Sequence, residues 1–239
     1  MKAHLAWLAI LVLVLSPLPI LAQYDMYDNG PINGTTDAWT INFGYVVSDS
    51  FMVSAGCCGV NGFMFGVWEE PGDILSSVQW SITSAPLGVV PPNARSSYAV
   101  YGAGTASGSN LTDKFISSNQ YGYDIDLITV TGLNVPATPG TKYWLSLFNA
   151  AVPSGDPVYW DENSGKGCGG AGCPSQAYES VVGSIPSEAF TVTCTGCACG
   201  FDHSGCTLGP GSVPEPHSLV LFGSGILGLA GLLRRKLHL

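Results

Sequence analysis

The sequence predicts an all-β protein whose folded part is a single β-sandwich or jelly-roll-like domain. Short segments alternate apolar and polar residues, which is the two-residue period of a strand that buries one face. Clusters of Pro, Gly, Asn and Asp separate these segments, and outside the two chain ends no segment keeps the 3.6-residue apolar period of a helix. Many short strands joined by frequent turns are typical of sandwiches and jelly rolls.

Five segments carry the strand pattern. The apolar positions are Trp39, Ile41, Phe43, Tyr45 and Val47 in the first segment, Phe63, Phe65 and Val67 in the second, Val78, Trp80 and Ile82 in the third, and Tyr121, Tyr123, Ile125 and Leu127 in the fourth. The fifth segment, 143–148, is apolar on both faces, as a central strand would be. Turns are predicted at 70–73, 91–93 and 138–140.

Both chain ends are hydrophobic and are predicted to lie outside this domain. Residues 1–22 have the features of a secretory signal peptide, with Lys2 before an apolar run and Ala22 at the expected cleavage point. The β domain is predicted to cover residues 23–194, followed by a Cys- and Gly-rich linker over 195–212. A C-terminal segment over 213–239 completes the chain.

The mature part of the chain is strongly acidic. The chain has 8 basic and 17 acidic residues, and the two ends remove four of the basic residues but only one acidic residue, Glu215. Such a surface repels phosphate backbones, so we expect no nucleic-acid partner. It is suited to divalent cations or to neutral polysaccharide.

The eight cysteines are predicted to form disulfides, because an even number in an exported chain favours pairing. Cys168 and Cys173 enclose a glycine-rich turn and form the easiest local pair, whereas the other pairings stay open. A zinc site is the alternative, since the thiolates from Cys194 onward, with His203, have suitable spacing. An oxidising compartment argues against zinc, and no metal ligand is assigned. The candidate disulfide residues are Cys168, Cys173, Cys194, Cys197, Cys199 and Cys206.

Two acidic, turn-like stretches, 24–30 and 159–165, contain the oxygen ligands that calcium prefers. Each combines carboxylates, an amide and aromatic residues. A hydrogen-bonded Asx turn is the favoured interpretation of both stretches, with a structural calcium ion as the alternative. No other cofactor is expected.

A ligand-binding surface is predicted in the second of these stretches, at Tyr159, Trp160, Asp161 and Asn163. Pro157 would place this strand at a sheet edge, so Trp160 is expected to face solvent and to stack on a sugar ring. Other aromatic residues could contribute if they are exposed. These are Trp39, Trp68, Tyr121 and Tyr159.

Catalytic patterns are few. Glu69, Glu70, Asp161 and Glu162 could supply the paired carboxylates of a glycosidase, but solvated turn acids are the favoured interpretation. The sequence contains no Gly-x-Ser-x-Gly elbow, phosphate-binding glycine loop or His-Glu-x-x-His motif. We therefore expect a non-enzymatic protein.

The C-terminal segment combines a Pro-Glu-Pro motif, an apolar run over 219–233 and a basic group. At about 1.5 Å per residue the apolar run spans roughly 22 Å, which is shorter than the ~30 Å hydrocarbon core of a bilayer. We expect a weak transmembrane helix whose basic end stays in the cytoplasm. The marker residues are Val213, Pro214, Glu215, Pro216, Arg234, Arg235 and Lys236.

This ending resembles the PEP-CTERM sorting signal of exported bacterial proteins. The resemblance implies export, recognition by an exosortase at the cytoplasmic membrane, and a destination at the cell surface or in an exopolysaccharide matrix. It covers only the C-terminal segment and transfers no functional residue to the β domain. An ordinary C-terminal membrane anchor is the alternative.

Two functions from different classes follow. The favoured one is a non-enzymatic surface or matrix protein that binds carbohydrate weakly. The alternative is a secreted glycan-active hydrolase that uses carboxylates such as Glu69 and Asp161, which would have to face each other across a cleft.

The sorting segment generates the first testable prediction. If it is a sorting signal, the surface-located protein should lack the C-terminal helix, and mass spectrometry of the protein from its host should show a shortened C-terminus. Replacing Pro214, Glu215 and Pro216 with alanine should block this shortening. A surface protein that still ends at Leu239 would identify the segment as a permanent anchor.

Overall fold

Thirteen β-strands form in the part of the chain that the structure describes. The computed structural model describes residues 24–88 and 98–196. The strands are β1 (Tyr24–Asp28), β2 (Asp37–Thr40), β3 (Val46–Met52), β4 (Cys57–Glu69), β5 (Ser77–Thr83), β6 (Val100–Ser107), β7 (Leu111–Ser118), β8 (Asp124–Pro136), β9 (Lys142–Ala151), β10 (Tyr159–Glu162), β11 (Ala177–Glu179), β12 (Gly183–Ile185) and β13 (Phe190–Gly196). A short 3-10 turn, Gly108–Asn110, joins β6 to β7.

The predicted signal peptide, the sorting segment and almost all of the predicted linker lie outside the described residues. Within residues 24–88 and 98–196, no helix is long and apolar enough to cross a membrane. The predicted domain limits at 22, 194 and 212 stay predictions.

The first sheet is built around β4. One edge of β4 pairs with β8 along most of its length, and the other edge pairs first with β13 and then with β10. β1 extends the sheet beyond β13, β2 extends it beyond β10, and β7 extends it beyond β8. All of these pairings are antiparallel.

The second sheet has the order β12-β11-β3-β9-β5-β6, and every pairing is again antiparallel. The predicted all-β fold is therefore confirmed in its coarse form, two antiparallel sheets. Jelly-roll connectivity stays a prediction.

Side chains from both sheets meet in one hydrophobic core. The ring of Phe63 on β4 lies edge-on to Trp80 on β5, with 6.2 Å between the centroids, and Tyr27 on β1 packs against Phe51 on β3. Each fully buried aromatic or branched side chain contributes about 1.5–3 kcal/mol relative to exposure. The largest fully buried residues include Trp160, Phe51, Phe63, Phe65, Phe190, Leu145 and Leu147.

Three of the five predicted strands are confirmed as β4, β5 and β9. The predicted central strand, 143–148, lies in β9, which pairs with β3 on one edge and β5 on the other. The predicted turn at 70–73 is present, with the Asp73 N–H donating to the Glu70 carbonyl at 3.0 Å. The turn at 138–140 is present too, whereas 91–93 lies outside the described residues.

The predicted strand over 39–47 is wrong in its middle, where the chain turns and passes from the first sheet to the second. Phe43 and Gly44 have positive φ angles of 54° and 89°, and the Tyr45 N–H donates to the Asn42 carbonyl at 3.0 Å. Phe43 is 64 % exposed. The alternation of aromatic residues continues through this turn, so the pattern alone could not reveal it.

The fourth predicted strand forms β8, which begins at Asp124. The predicted apolar residues Ile125 and Leu127 lie on the outer face of the sheet, and the alternate residues point toward the core. Asp126 lies opposite core-facing Val67, and Ile128 lies opposite Phe65. Ile125 is buried on the other face, where a Cβ at Gly34 would lie 2.7 Å from its side chain. A loop covers this outer face, and apolar alternation cannot distinguish a loop from a second sheet.

Two disulfides lie within the described residues. Cys168 pairs with Cys173, which confirms the predicted local pair. Cys57 on β4 pairs with Cys194 on β13 across 137 residues of sequence. The sequence left the partner of Cys194 open, and Cys197, Cys199 and Cys206 lie outside the described residues.

The two disulfides differ in burial, which predicts the order of their reduction. Cys57 and Cys194 are buried in the core, whereas Cys168 and Cys173 are half-buried. Because exchange requires a thiolate to reach a sulfur atom, mild dithiothreitol treatment of the folded protein should open Cys168–Cys173 first.

Alkylation followed by peptide mass spectrometry measures this order. In denaturant the difference in rate should disappear, which is the control. Alkylation of Cys57 or Cys194 as early as Cys168 in the folded protein would contradict the prediction.

Candidate functional site

The two acidic stretches selected from the sequence lie next to each other in the fold. The Asn163 side-chain amide donates to the Asn29 carbonyl at 2.6 Å. The Asn29 amide in turn donates to the Glu188 carbonyl at 2.5 Å. Both asparagines are buried, so these hydrogen bonds fasten the two stretches together beneath the surface.

Each stretch contains the Asx turn that the sequence favoured. The Asp28 carboxylate accepts the Gly30 N–H at 2.9 Å, and the Asn163 carbonyl oxygen accepts the Gly165 N–H at 2.8 Å. These oxygen atoms are therefore engaged by backbone donors. The alternative of a structural calcium ion in these stretches stays a prediction.

Trp160, the predicted sugar-stacking residue, is fully buried, which corrects the expectation that it faces solvent. Its ring packs edge-on against Phe65 and Phe190, and its indole N–H donates to the Ala189 carbonyl at 3.0 Å. β10 lies between β2 and β4, so it is not an edge strand. Pro157 precedes β10 rather than lying within it, and therefore leaves both edges free to pair.

Asp161 is a buried structural acceptor. Its carboxylate accepts the Asn33 N–H at 2.8 Å, the Gly34 N–H at 3.0 Å and the Trp68 indole N–H at 2.6 Å. Burial raises the pKa of Asp161, and these hydrogen bonds oppose that rise. The contacts anchor the loop before β2 on the outer face of the first sheet.

A second buried group, the inter-sheet acidic cluster, consists of Asp49, Glu162 and Glu188. Asp49 on β3 accepts the Glu188 N–H at 2.8 Å and the Ser50 N–H at 2.6 Å. Glu162 accepts the Trp39 indole N–H at 3.1 Å. The Glu188 carboxyl oxygens have no hydrogen-bond partner among the described residues.

Burial controls the protonation of this cluster. It raises the pKa of Asp49 to about 7, and burial with the neighbouring Asp49 charge raises the pKa of Glu188 well above its usual value. Burial therefore favours the protonated forms of Asp49 and Glu188. Because both side chains are fully buried, a change in their protonation affects the stability of the fold.

The sequence did not select Asp49 or Glu188, although a signal was present. Asp49 alternates with apolar Val47 and Phe51, and Glu188 lies two residues before apolar Phe190. An acid at an inward position of an apolar face is the pattern that would have identified both.

The predicted carboxylate pair Glu69 and Asp161 does not face one cleft. Both residues are fully buried. Asp161 contacts the Trp68 side chain, and Glu69, the next residue on β4, projects from the opposite face of the sheet. Glu70 is exposed, and Glu162 belongs to the inter-sheet acidic cluster.

An aromatic surface forms on the outer face of the first sheet from Trp68, Tyr121, Tyr123 and Tyr159. Tyr121 is 57 % exposed and stacks on Trp68, with 5.6 Å between centroids and 20° between ring planes. Tyr123 packs against Trp68 at 6.0 Å and against Tyr159 at 5.6 Å. Of the four residues predicted as the ligand-binding surface, only Tyr159 lies here, together with Trp68 and Tyr121, which the sequence analysis named as further stacking candidates.

Within the described residues, no three Asp, Glu, His or Cys side chains are already arranged as the ligand set of a metal ion. Cys194 belongs to a disulfide, so the zinc alternative loses that ligand. The remaining zinc candidates, Cys197, Cys199, His203 and Cys206, lie outside the described residues.

Comparison with known proteins identifies the C-terminal segment. A family profile described as the PEP-CTERM protein-sorting motif matches residues 212–236, which include every predicted sorting residue. The motif indicates an exported, surface-sorted protein, and it implies processing by an exosortase and membrane anchoring. No curated protein matches the chain.

The buried carboxyl of Glu188 predicts a pH-dependent effect of Glu188→Gln. A carboxyl whose folded pKa is raised binds its proton more tightly in the folded than in the unfolded state. The stability of the wild-type protein therefore falls as pH rises from the unfolded pKa toward the folded one. Glutamine cannot ionise, so the variant should be more stable than wild type at pH 8, by about 1–3 kcal/mol, and similar near pH 4.

Urea unfolding at the two pH values measures this difference in the free energy of unfolding. Exposed Glu70→Gln is the matched control and should change little at either pH. Equal destabilisation by Glu188→Gln at both pH values would contradict the prediction.

Proposed function

We propose that the mature β domain is a non-catalytic protein of the cell surface or exopolysaccharide matrix, and that it binds polysaccharide weakly through the aromatic surface. The observation that carries this proposal is the exposed Tyr121 ring, supported from below by Trp68. The sorting motif at 212–236 supports the location.

The aromatic surface is held in place before any ligand arrives. The Asn119 side-chain oxygen accepts the Tyr121 N–H at 2.9 Å and the Tyr123 N–H at 3.1 Å, which closes the turn between β7 and β8. The indole of Trp68 is fixed by its hydrogen bond to Asp161. Little side-chain entropy is therefore lost when a ligand stacks on Tyr121.

The polar edge of this surface suits a neutral sugar. Burial raises the pKa of Tyr159 to about 12, so its hydroxyl remains a neutral hydrogen-bonding group. An acidic mature chain disfavours a polyanionic ligand, whereas a neutral sugar presents both an apolar face for stacking and hydroxyls for hydrogen bonds.

The expected affinity at one site is weak. Stacking that buries roughly 100 Å² of apolar area contributes ~2.5 kcal/mol before ordering costs, and this alone corresponds to a dissociation constant of roughly 10–20 mM. Many copies on one matrix would supply useful avidity.

The hydrolase alternative has less support. Glu69 and Asp161 project from opposite faces of the first sheet, and both are buried, so neither can reach a glycosidic bond without rearrangement. A glycosidase needs two carboxyl groups on either side of the scissile bond, at roughly 5–10 Å from each other.

Substitution of Tyr121 tests the binding proposal. Tyr121→Ala should reduce retention on the host's insoluble polysaccharide several-fold, because it removes the stacking face. Tyr121→Phe should keep most of the retention, since the ring remains. The measurement is a pull-down of the processed protein, with the fold checked by circular dichroism.

Tyr45→Ala is the matched control, because Tyr45 is also exposed but lies in the turn between β2 and β3. Unchanged retention for Tyr121→Ala would refute binding through the aromatic surface. Release of new reducing ends from the polysaccharide would refute the non-catalytic role.

A further inference from the structure

Five carboxylates gather around the end of β4, and we call them the five-carboxylate cluster: Glu69, Asp73, Asp113, Asp124 and Asp126. Glu69 lies directly opposite Asp124 on β8, and Asp126 follows two residues later on the same face. Asp113 comes from β7, the neighbour of β8, and Asp73 from the turn after β4. Four segments of the chain thus bring acids to one place.

Within the five-carboxylate cluster, the burial of Glu69 is not explained by hydrogen bonds to the described residues. Its side chain is 0 % exposed, and neither carboxyl oxygen has a hydrogen-bond partner among the described residues. A buried carboxylate without a partner costs several kcal/mol, so such groups are normally paired, protonated or bound to a cation.

The charges that act on Glu69 come from carboxylates. Burial, followed by the charges of Asp113, Asp126, Asp73 and Asp124, raises its pKa to about 8. The pKa of Asp126 is also raised, to about 6, by burial and by Asp113 and Asp124. Because the register of β4 with β8 puts Glu69 on the same face as Asp124 and Asp126, a positive charge there would relieve several repulsions at once.

Asp113 and Asp73 are each held at the rim by a hydrogen bond to one carboxylate oxygen. One oxygen of Asp113 accepts the Leu75 N–H at 2.6 Å, and one oxygen of Asp73 accepts the Ser154 hydroxyl at 2.6 Å, so the second oxygen of each can serve a ligand. Asp124 accepts the Ser118 hydroxyl at 2.8 Å and the Gly72 N–H at 3.3 Å, one on each oxygen. Asp73, Asp113 and Asp124 are half-buried, which leaves a route from solvent.

We propose that the five-carboxylate cluster binds a calcium ion, with Glu69, Asp113 and Asp126 as direct ligands and Asp73 and Asp124 completing the site. This site is separate from the two stretches, 24–30 and 159–165, in which the sequence suggested calcium. It does not depend on the proposed polysaccharide binding.

Calcium fits this site better than magnesium or a transition metal. Carboxylate oxygens are hard ligands, and calcium accepts six to eight of them at irregular angles, whereas magnesium requires a near-octahedral arrangement. The described side chains do not yet converge on one point, so binding requires rotation of the rim carboxylates, which calcium tolerates. Extracellular calcium modules of this kind have dissociation constants of about 10⁻⁴–10⁻³ M.

Calorimetric titration with calcium chloride tests the proposal on the processed protein after removal of metals with EDTA. Wild type should bind one ion at sub-millimolar to millimolar concentration, its melting temperature should rise, and magnesium should have a smaller effect. Glu69→Gln should weaken calcium binding at least about tenfold, because it removes a ligand charge.

Glu188→Gln is the matched control, since Glu188 is, like Glu69, fully buried and makes no side-chain hydrogen bond to the described part of the chain. It should keep wild-type calcium affinity. Asp126→Asn is the second test variant if Glu69→Gln does not fold, and it should also lose binding.

Absence of calcium binding to wild type at about 10 mM would overturn the proposal. Binding that persists in Glu69→Gln or Asp126→Asn would place the ion elsewhere and would also overturn it. If Glu188→Gln lost as much calcium affinity as Glu69→Gln, calcium binding would depend on the overall charge of the protein, and the proposed site would be rejected.

Discussion

The pairing of β4 along both of its edges is the constraint on which the rest of the fold depends. β8 follows one edge, while β13 and then β10 share the other. The change of partner occurs at Gly66, where a Cβ would lie 2.7 Å from the Ile32 side chain, so only glycine allows the covering loop to approach. Cys57 begins the strand, and Trp68 and Glu69 end it on opposite faces. One strand therefore positions the long-range disulfide, the aromatic surface and the five-carboxylate cluster.

The domain buries acids in two environments that differ in a chemically important way. In the inter-sheet acidic cluster, N–H donors stabilise the charge of Asp49, and burial favours a proton on the enclosed Glu188, so neither carboxyl depends on a cation. Around Glu69 the neighbours are half-buried carboxylates near solvent, and a proton on Glu69 leaves most of the negative charge in place. Buried carboxyls are therefore neutralised by protonation in one place, and in the other the proposed calcium ion would offset their charge.

The sequence predicted the fold class, three strands and one disulfide, because period-two alternation and local chain reach determine those features. The sequence-based predictions were wrong where the burial of a strand face depends on which other strand or loop covers it. Trp160 was expected at an edge, but β2 adds beyond β10 and Trp160 is enclosed. The alternating pattern of β8 was predicted correctly, but its apolar residues were assigned to the wrong face of the sheet. Ile125 lies on the outer face, where a loop buries it. The five-carboxylate cluster was missed because its members are far apart in sequence, and only the register of β4 with β8 brings Glu69 to Asp124 and Asp126.

The pairing of the first and last described strands has a consequence for the order of events during export. Tyr24 on β1 lies opposite Cys194 on β13, so a chain that emerges N-terminus first holds β1 without its partner until the whole domain has crossed the membrane. Cys57 emerges 137 residues before its partner Cys194, and Cys168 and Cys173 emerge between them. Because these two cysteines are five residues apart, they can close on each other within a short time of emerging, which removes them as competitors for Cys57. Closure of the local disulfide thus leaves two fewer thiols that could pair with Cys57 before Cys194 emerges.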